Sequence, residues 1–451
     1  MADSGLIAKY NIPGPRYTSY PTVPYWNVQQ WDIRKWCQLL AISQQEEPAK
    51  HLALYIHLPY CDSLCTFCGC HKHITTNHAV ESRYIDAVLR EWKLLSASLD
   101  KNSTIHELHL GGGTPTFFAP KELKRLIEGI KSVFPFTAAA ALSFEAHPIS
   151  TTRKHLEVLH DHGFRRVSFG IQDYDPVVQK AIHRIQSFEL VQSCHQEAKA
   201  IGFNAISHDL VYGLPRQTLS GFQQTIRCTL QLKPERISLY SYAHVPWIKG
   251  TGQRGYSESD LPNPDLKRAL YEVSKQMLVT HGYVEIGMDH FALPADDLAK
   301  AVVEKNLHRN FMGYTTNSSG LLIGLGMSAI SESKFGFAQN EKSTARYLEM
   351  IESGQLPITR GHEMSALDIE IRQHILNLMC RFETEIPQTT LLNRLELELQ
   401  LSELISDGLV EWKKDLIRVL PKGIPFVRNC CMAFDAYLKD QNPVKQFSMT
   451  I

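Results

Sequence analysis

The chain has 451 residues, 43% of them hydrophobic and 21% charged, which is typical of an ordinary globular protein with two or three structural units. Its 47 basic and 47 acidic side chains give a formal net charge of zero, so charge gives no argument for binding to nucleic acid or to an anionic membrane. The chain shows no secretory signal and no apolar run near the roughly 20 residues that span a bilayer, so we expect a protein of the reducing cytoplasm.

The first part of the chain predicts an arm followed by alternating strands and helices. The first 35 residues are rich in Pro, Tyr and polar residues, which indicates an extended arm without regular elements. Amphipathic segments with apolar residues at helical spacing, such as ESRYIDAVLREWKLL, then separate short apolar runs. These runs are LALYIH (52–57), ELHLGGG (107–113), ALSFEA (141–146), RRVSFGIQ (165–172), AISHDLVYG (205–213) and RISLYSYA (236–243). The alternation predicts six parallel βα units, two short of a complete barrel.

Beyond residue 365 the pattern changes to the helices ALDIEIRQHILNLMCRF and TTLLNRLELELQLSELISDG, followed by a predicted hairpin in LVEWKKDLIRVLPKG. This order resembles a winged helix, and because its second helix has no basic excess we favour a lid or packing domain over DNA binding. We therefore predict an α/β fold in three parts. Residues 1–35 form an arm over the active site, residues 36–330 a partial (β/α)6 TIM-like barrel with its extension, and residues 331–451 a mostly helical, winged-helix-like domain.

Four cysteines follow the first predicted strand: Cys61, Cys65, Cys68 and Cys70. The first three have C-x3-C-x2-C spacing, with Phe67 directly before the third. Three thiolates on one loop each hold one iron of a cubane cluster and leave the fourth iron open, whereas [4Fe–4S] sites usually have four cysteines. The alternatives are a zinc site, which usually joins two separated pairs of ligands, and disulfides, which need an oxidising compartment. No second pair with zinc spacing follows, so we favour an open iron–sulfur cluster.

Further candidates lie at the ends of the predicted strands, where barrel enzymes have their active sites. The run Gly111–Gly113, followed by Thr114, would let a bound molecule approach the backbone, and the alternative is a tight turn. Glu145 ends the third run, where a structural carboxylate is the alternative. The candidates for binding ribose hydroxyls and a carboxylate are Gln172, Arg184 and Asp209.

Two histidine-containing segments have both a structural and a functional interpretation. His57 precedes the cysteine loop and is a candidate to hydrogen-bond into the site, although a packed strand histidine is the commoner situation. The segment LHRNFMGYTT (307–316) combines His308, Arg309 and Asn310. It is either an ordinary loop or a polar rim over the active site.

The loop CDSLCTFC matches the C-x3-C-x-aromatic-C motif of radical S-adenosylmethionine (radical SAM) enzymes. Over essentially its whole length the chain resembles one family of that superfamily, the oxygen-independent coproporphyrinogen III oxidases. The matching segments are GPRYTSYPT (14–22), YIHLPYC…CTFCGC (55–70), LHLGGGTPT (108–116), FGIQD (169–173), DLVYGLP (209–215), YAH (242–244), IGMDHFA (286–292), HRNFMGYTT (308–316), GMSAI (326–330) and RNCCMAFDAYL (428–438).

The resemblance implies a barrel of the radical SAM type and a cytoplasmic enzyme of haem biosynthesis. Its cofactors would be a [4Fe–4S] cluster and SAM, with one or two SAM molecules for each chain. A 5′-deoxyadenosyl radical would start the oxidative decarboxylation of two propionates of coproporphyrinogen III to vinyl groups, giving protoporphyrinogen IX. The protein would orient these groups and exclude water, since the radical chemistry belongs to the cofactors. The family implies a monomer, with an unidentified one-electron donor and a final electron acceptor as partners.

The resemblance also implies roles for particular residues. Cys61, Cys65 and Cys68 would ligate the cluster, and Cys70 would not. The contacts of the cluster-bound SAM would be Tyr55, Gly112, Glu145 and Ile330. Those of a second SAM would be Phe67, Gly113, Thr114, Gln172, Arg184, Asp209 and Ala243. The candidates for catalytic roles are Cys70, Glu145, His57 and Arg16, the last as a partner for a substrate carboxylate.

Two positions depart from the family pattern. Met312 stands where Gln is common, and His147 stands where a carboxylate is usual. The alternative function is that of the haem-chaperone relatives, which bind haem on a similar barrel. Those relatives typically lack the fourth cysteine, the PRYTSYPT arm and the full C-terminal domain, all of which this chain has.

Overall fold

The computed structural model describes residues 4–27, 31–47, 49–246, 252–253, 255–317, 319–438 and 447–450. The chain divides into two compact units. The barrel unit consists of Asn27–His281 and Ser319–His362, and the terminal unit consists of Met1–Trp26, Gly282–Ser318 and Glu363–Ile451. In the described ranges no helix combines the length and the apolar character that crossing a bilayer requires.

The regular elements are numbered in chain order. The strands are β1 (His51–Leu58), β2 (Tyr60–Cys61), β3 (His73–Ile74), β4 (Thr104–Gly112), β5 (Phe136–Ala146), β6 (Arg166–Gln172), β7 (Ala205–Tyr212), β8 (Arg236–Ser241), β9 (Val284–Gly287), β10 (His290–Ala292), β11 (His308–Asn310), β12 (Gly313–Thr315), β13 (Leu321–Leu325), β14 (Ile330–Ser333), β15 (Gly336–Asn340), β16 (Ile358–Glu363), β17 (Glu383–Glu385), β18 (Val410–Lys413) and β19 (Leu416–Val419). The α-helices are α1 (Ser4–Tyr10), α2 (Ile33–Glu46), α3 (Val80–Ser96), α4 (Pro120–Val133), α5 (Arg153–Asp161), α6 (Pro176–Ala181), α7 (Phe188–Ile201), α8 (Leu219–Leu232), α9 (Pro264–Thr280), α10 (Asp297–Val303), α11 (Thr344–Glu352), α12 (Ala366–Arg381), α13 (Arg394–Ser406) and α14 (Val427–Met432).

The barrel unit is built on a sheet with the strand order β16-β15-β14-β13-β1-β4-β5-β6-β7-β8. Strands β1 and β4 to β8 run parallel, with helices between them, and confirm the predicted (β/α)6 arrangement. A further parallel strand, β13, pairs with β1 on its other side, with Ala53 opposite Leu322. The antiparallel strands β14 and β15 continue the sheet. All the carboxyl ends of the parallel strands therefore lie at one edge.

Local sequence explains these elements. Strand β1 is buried along nearly its whole length, as expected for a parallel strand that is covered on both faces. Helix α4 buries Leu123 and Ile127 at helical spacing and leaves Lys121, Lys124 and Glu128 exposed. Thr152, Ser187 and Thr218 cap α5, α7 and α8, because each side chain accepts a hydrogen bond from a backbone amide of the first turn.

In the terminal unit, α12, β17, α13, β18 and β19 follow one another, and the three strands form an antiparallel sheet in the order β17-β19-β18. This is the predicted winged-helix-like arrangement. Its core includes Leu401 and Ile417 together with Leu6 and Tyr10 of α1. The arm was predicted to lack regular elements, and α1 contradicts this. Leu6 and Tyr10 lie one helical turn apart, so a short helix buries both.

Two other expectations differ from the structure. The segment 307–316 contains the antiparallel hairpin β11–β12 and is not an irregular loop. The predicted boundaries 1–35, 36–330 and 331–451 also differ from the two units. A boundary at 330 would cut β14, whose pairing with β13 and β15 keeps it in the barrel sheet. Composition changes along the chain do not reveal such pairing.

Candidate functional site

The cysteine loop begins directly after β1 and is closed at its base. Strand β2 pairs in parallel with β3, with Cys61 opposite Ile74. The amide of His73 donates to the Pro59 carbonyl at 2.9 Å, and the amide of Thr75 donates to the Cys61 carbonyl at 3.0 Å. These bonds fix both ends of the loop at the carboxyl end of β1.

The loop forms one wall of a cavity of about 310 Å³ in the barrel unit. The predicted site residues that line it are Cys61, Cys65, Phe67, Cys68, Cys70, Gly112, Gly113, Thr114, Glu145, Gln172, Arg184 and Asp209. Four other predicted site residues of the barrel unit do not line it: Tyr55, His57, Ala243 and Ile330. The structure thus brings most of the strand-end candidates together with the thiols.

The thiols differ in their surroundings. Cys61 Sγ lies 3.3 Å from Thr114 Oγ1, and Cys65 Sγ accepts a hydrogen bond from Arg184 Nη1 at 3.6 Å. Burial raises the pKa of the Cys61 thiol to about 11, whereas the hydrogen bond from Cys70 lowers the pKa of the Cys68 thiol to about 6. Cys70 itself is exposed.

Arg184 is the cation of this cavity that contacts the thiol of Cys65, and its side chain is almost fully buried. Its Nη2 donates to the Gly170 carbonyl at 2.6 Å. Gly170 makes room for this contact, because an added Cβ there would lie 2.8 Å from Arg184 Nη2. Within the described residues the buried Nε has no hydrogen-bond partner. A guanidinium held in this way is ready to bind an anionic group beside the thiols.

The glycine run was expected to let a bound molecule approach the backbone. Gly112 and Gly113 line the cavity, and the structure gives a further reason for the run, since an added Cβ at either position would meet the chain at the end of β1. An added Cβ at Gly112, whose φ is +118°, would lie 2.9 Å from both the amide nitrogen and the carbonyl oxygen of Leu58. At Gly113 it would lie 2.7 Å from the carbonyl carbon of Pro59 and would clash with its oxygen. The glycines therefore let the chain that enters the cysteine loop pack closely against β4.

Glu145 ends β5 and joins two other groups. Its Oε2 accepts a hydrogen bond from the Gly112 amide at 3.3 Å, and its Oε1 lies 3.6 Å from His109 Nε2. The His109 ring stacks on Tyr55, with ring centroids 6.0 Å apart. The Glu145 side chain is 45% exposed, so its carboxylate is accessible to a ligand in the cavity.

His57 lies behind the loop. The Tyr55 hydroxyl donates to its Nδ1 at 3.0 Å, and its Nε2 donates to the His71 carbonyl at 2.8 Å. Burial lowers the pKa of His57, which keeps the imidazole neutral. Because both ring nitrogens are engaged within the protein, the geometry supports the structural alternative, in which His57 holds the loop next to Cys70.

Asp209 lies in the second half of β7, and Gln172 is the last residue of β6. Asp209 Oδ2 accepts a hydrogen bond from Ser168 Oγ at 2.8 Å, and burial raises the pKa of its carboxyl to about 6. Gln172 has a φ of 68° at an irregularity in the β6–β7 register. This left-handed conformation is unusual for a residue other than glycine and marks the position as one that the surrounding structure holds in place.

Two further residues hold the site together and were not among the predicted ones. Lys72 Nζ donates to the carbonyls of Cys68 at 3.2 Å and Cys70 at 3.4 Å. Gln253 donates to the carbonyls of Phe67 at 2.9 Å and Ala243 at 3.1 Å. A lysine two residues beyond Cys70 could have been noticed in the sequence. Gln253 lies outside every motif and had no such signal.

Comparisons with known proteins are consistent with this site. Residues 55–229 match the family model of the radical SAM superfamily. The chain is 37% identical over 458 residues to an oxygen-independent coproporphyrinogen III oxidase of Helicobacter pylori, covering 100% of this chain and 99% of that protein. It is 37% identical over 457 residues to the protein of the same name from Escherichia coli, covering 100% and 98%. The chain belongs to the oxygen-independent coproporphyrinogen III oxidase family. A solved structure of the Escherichia coli coproporphyrinogen III oxidase, described as a radical SAM enzyme, superposes with a TM-score of 0.90 at 35% identity, over 97% of this chain and 99% of that one.

Membership of the coproporphyrinogen III oxidase family, within the radical SAM superfamily, implies a [4Fe–4S] cluster and SAM, and the residues present fit both. Among the residues that the structure describes, no three His, Cys, Asp or Glu side chains converge on a single metal ion. A cubane needs a different arrangement, because each thiolate binds its own iron. Three free thiols on one cavity wall meet that need. The unpartnered Nε of Arg184 and the accessible Glu145 carboxylate provide opposite charges for a zwitterionic cofactor.

Arg16, the last predicted site residue, lies in the terminal unit. Its guanidinium forms an ion pair with Asp289, whose side chain is only 7% exposed. Its carbonyl accepts a hydrogen bond from Arg309 Nη2 at 3.2 Å, and Arg428 Nε donates to the Pro15 carbonyl at 2.9 Å. Arg309 and Asn310 are buried, which contradicts the expectation of a polar rim. Arg309 instead holds the arm.

Proposed function

We propose that this chain decarboxylates two propionates of coproporphyrinogen III to vinyl groups, giving protoporphyrinogen IX without oxygen. The observation that carries the proposal is a cavity in which the thiols of one strand-end loop lie beside Arg184 and Glu145. Relatives that match the full length of the chain are named for this reaction. The haem-chaperone alternative has no observation in its favour.

Cys61, Cys65 and Cys68 are the proposed cluster ligands. When bound, the reduced cluster and SAM would supply a radical able to abstract hydrogen from a propionate. The chain orients the reacting groups and limits access of water. Cys70 is a proposed catalytic residue that is not a ligand, since it is exposed and its hydrogen bond to Cys68 already distinguishes it from the other three.

Two SAM sites are proposed. The first comprises Tyr55, Gly112, Glu145 and Ile330, and the second comprises Phe67, Gly113, Thr114, Gln172, Arg184, Asp209 and Ala243. Glu145 is suited to the α-amino group of the first SAM because its carboxylate is accessible. Arg184 is suited to a carboxylate because its guanidinium is fixed by Gly170 and Cys65. His57 and Tyr55 support the site from behind the loop.

Arg16 is the proposed partner of a substrate propionate. Its side chain is 31% exposed although Asp289 holds it, and a planar guanidinium suits the geometry of a carboxylate. Coproporphyrinogen III carries four carboxylates and the chain has no net charge, so a few placed cations must provide recognition.

The remaining partners are proposed by class. An unidentified one-electron donor reduces the cluster, and a final electron acceptor removes the electron left by decarboxylation. All ten cysteines are free thiols, which supports a reducing compartment such as the cytoplasm. We also propose that the chain acts as a monomer.

The test is an anaerobic product analysis with coproporphyrinogen III, SAM and dithionite. The wild-type chain should form protoporphyrinogen IX, and Cys61→Ser, Cys65→Ser or Cys68→Ser should lose the cluster absorbance, SAM cleavage and product. Cys70→Ser should keep its iron and lose most vinyl formation. A reconstituted wild-type enzyme that cleaves SAM and leaves coproporphyrinogen III unchanged would refute the proposed substrate.

A further inference from the structure

His147 lies at the first residue after β5, in a tight turn. Its carbonyl accepts hydrogen bonds from the amides of Ser150 at 3.1 Å and Thr151 at 3.0 Å, and from Thr151 Oγ1 at 2.8 Å. Its ring also takes part, because Nδ1 accepts a hydrogen bond from the amide of Ile149 at 3.2 Å. The turn therefore fixes both the backbone and the ring of His147.

This contact determines which ring nitrogen carries the proton. A nitrogen that accepts from an N–H has no hydrogen, so the neutral ring has its hydrogen on Nε2. Burial and the charge of Arg184 lower the pKa of His147 to about 3, which is consistent with a neutral ring. His147 and Arg184 both line one cavity.

His147 lines the cavity that contains the thiols. Among the described residues Nε2 has no hydrogen-bond partner, and the ring is only half-buried. His147 thus presents one N–H donor to the cavity, beside the cationic Arg184.

An Asp at this position would behave differently. A short Asp side chain could accept from the amide two residues later and so keep the turn. It could not donate a hydrogen bond, and it would add a negative charge to a cavity that already has Glu145 and Asp209. Compared with Asp, His147 therefore offers the cavity a hydrogen-bond donor and no negative charge.

We propose that His147 is a ligand-binding residue, whose Nε2–H donates to a carboxylate oxygen of the molecule in this cavity, with Arg184 as its charge partner. The inference rests on the proposed function, which supplies two sources of that group, the methionine carboxylate of SAM and a propionate of the porphyrinogen. The carboxylate chemistry is common to both sources, and binding measurements separate them.

The test uses the anaerobically reconstituted holoenzyme and binding measurements without turnover. In His147→Asn the side-chain oxygen can still accept a hydrogen bond from the Ile149 amide, but the Nε2–H donor is gone. Equilibrium dialysis with SAM, with decarboxylated SAM and with the redox-stable coproporphyrin III gives three affinities. The matched control is His281→Asn, an exposed histidine at the end of α9. Iron content and melting temperature should match the wild type in both variants.

If the carboxylate belongs to SAM, His147→Asn should weaken SAM binding roughly 10-fold, the lower range for a hydrogen bond to a charged group, and leave decarboxylated SAM unaffected. If it is a propionate, only coproporphyrin III binding should weaken. Unchanged affinities for all three ligands, or equal losses for SAM and decarboxylated SAM, would overturn the inference and leave His147 as a turn residue. The result does not depend on product formation, so a failure of the proposed reaction would be recognised separately.

Discussion

Replacing Asp209 by Asn should stabilise the apoprotein, and more strongly at alkaline pH than at acid pH. Burial raises the pKa of this carboxyl from 3.8 to about 6, so the folded chain disfavours the ionised form. The free-energy cost of holding Asp209 ionised in the folded chain is absent below the pKa of the unfolded chain. It is complete above the pKa of the folded chain. At about 1.4 kcal/mol for each pKa unit, it reaches about 3 kcal/mol at pH 8 and about half of that at pH 5.

The measurement is urea unfolding of wild type and Asp209→Asn at both pH values, in the absence of cluster and SAM. Because Asn is nearly isosteric and carries no charge, its advantage should grow by about 1.5 kcal/mol from pH 5 to pH 8. Asp161→Asn, an exposed position at the end of α5, is the matched control and should show no such growth. SAM binding by Asp209→Asn should weaken at the same time.

A difference in stability that stays constant between the two pH values would refute the reasoning. It would mean that the Asp209 carboxyl remains hydrated and pays no cost for ionisation. Its hydrogen bond with Ser168 would then be a surface contact of little consequence.

Gly113→Ala should destabilise the chain by about 3 kcal/mol and reduce cluster incorporation, because its Cβ would clash with the Pro59 carbonyl. Gly69→Ala is the control: its Cβ would meet nothing within 4 Å, so neither melting temperature nor iron content should change. Equal behaviour of the two variants would contradict the packing argument. Arg184→Ala should raise the dissociation constant for SAM roughly 10-fold, measured by equilibrium dialysis. An unchanged dissociation constant would mean that Arg184 has only a structural role. Arg16→Ala should keep the cluster and uncoupled SAM cleavage and lose most decarboxylation, whereas a wild-type rate at subsaturating substrate would show that the propionates are held elsewhere.

The parts of the site that follow from strand ends were predictable from the sequence. A parallel barrel brings the carboxyl ends of its strands to one edge, so the sequence alone could place Glu145, Gln172 and Asp209 near the cysteine loop. The order of elements in the winged-helix-like part also followed from helical periodicity and the hairpin pattern.

The contacts that hold these groups were not predictable, since they join segments distant in sequence. Periodicity does not show that Gln253 joins Phe67 to Ala243. It does not show that a Cβ at Gly113 would clash with the Pro59 carbonyl. The strand β13 was missed for a related reason: its glycine-containing run GLLIGLGMSAI has no periodicity that distinguishes a strand from a buried loop, and only pairing with β1 identifies it.

The anchoring of the arm has a consequence for synthesis of the chain. The Pro15 carbonyl receives its hydrogen bond from Arg428, 413 positions later. At ribosomal rates of about 5–20 residues per second, some 20–80 seconds separate the appearance of the two residues. During that interval most of the barrel unit has emerged, while the arm still lacks its partner. A nascent chain therefore has its cysteine loop complete well before the arm can form its contact with Arg428.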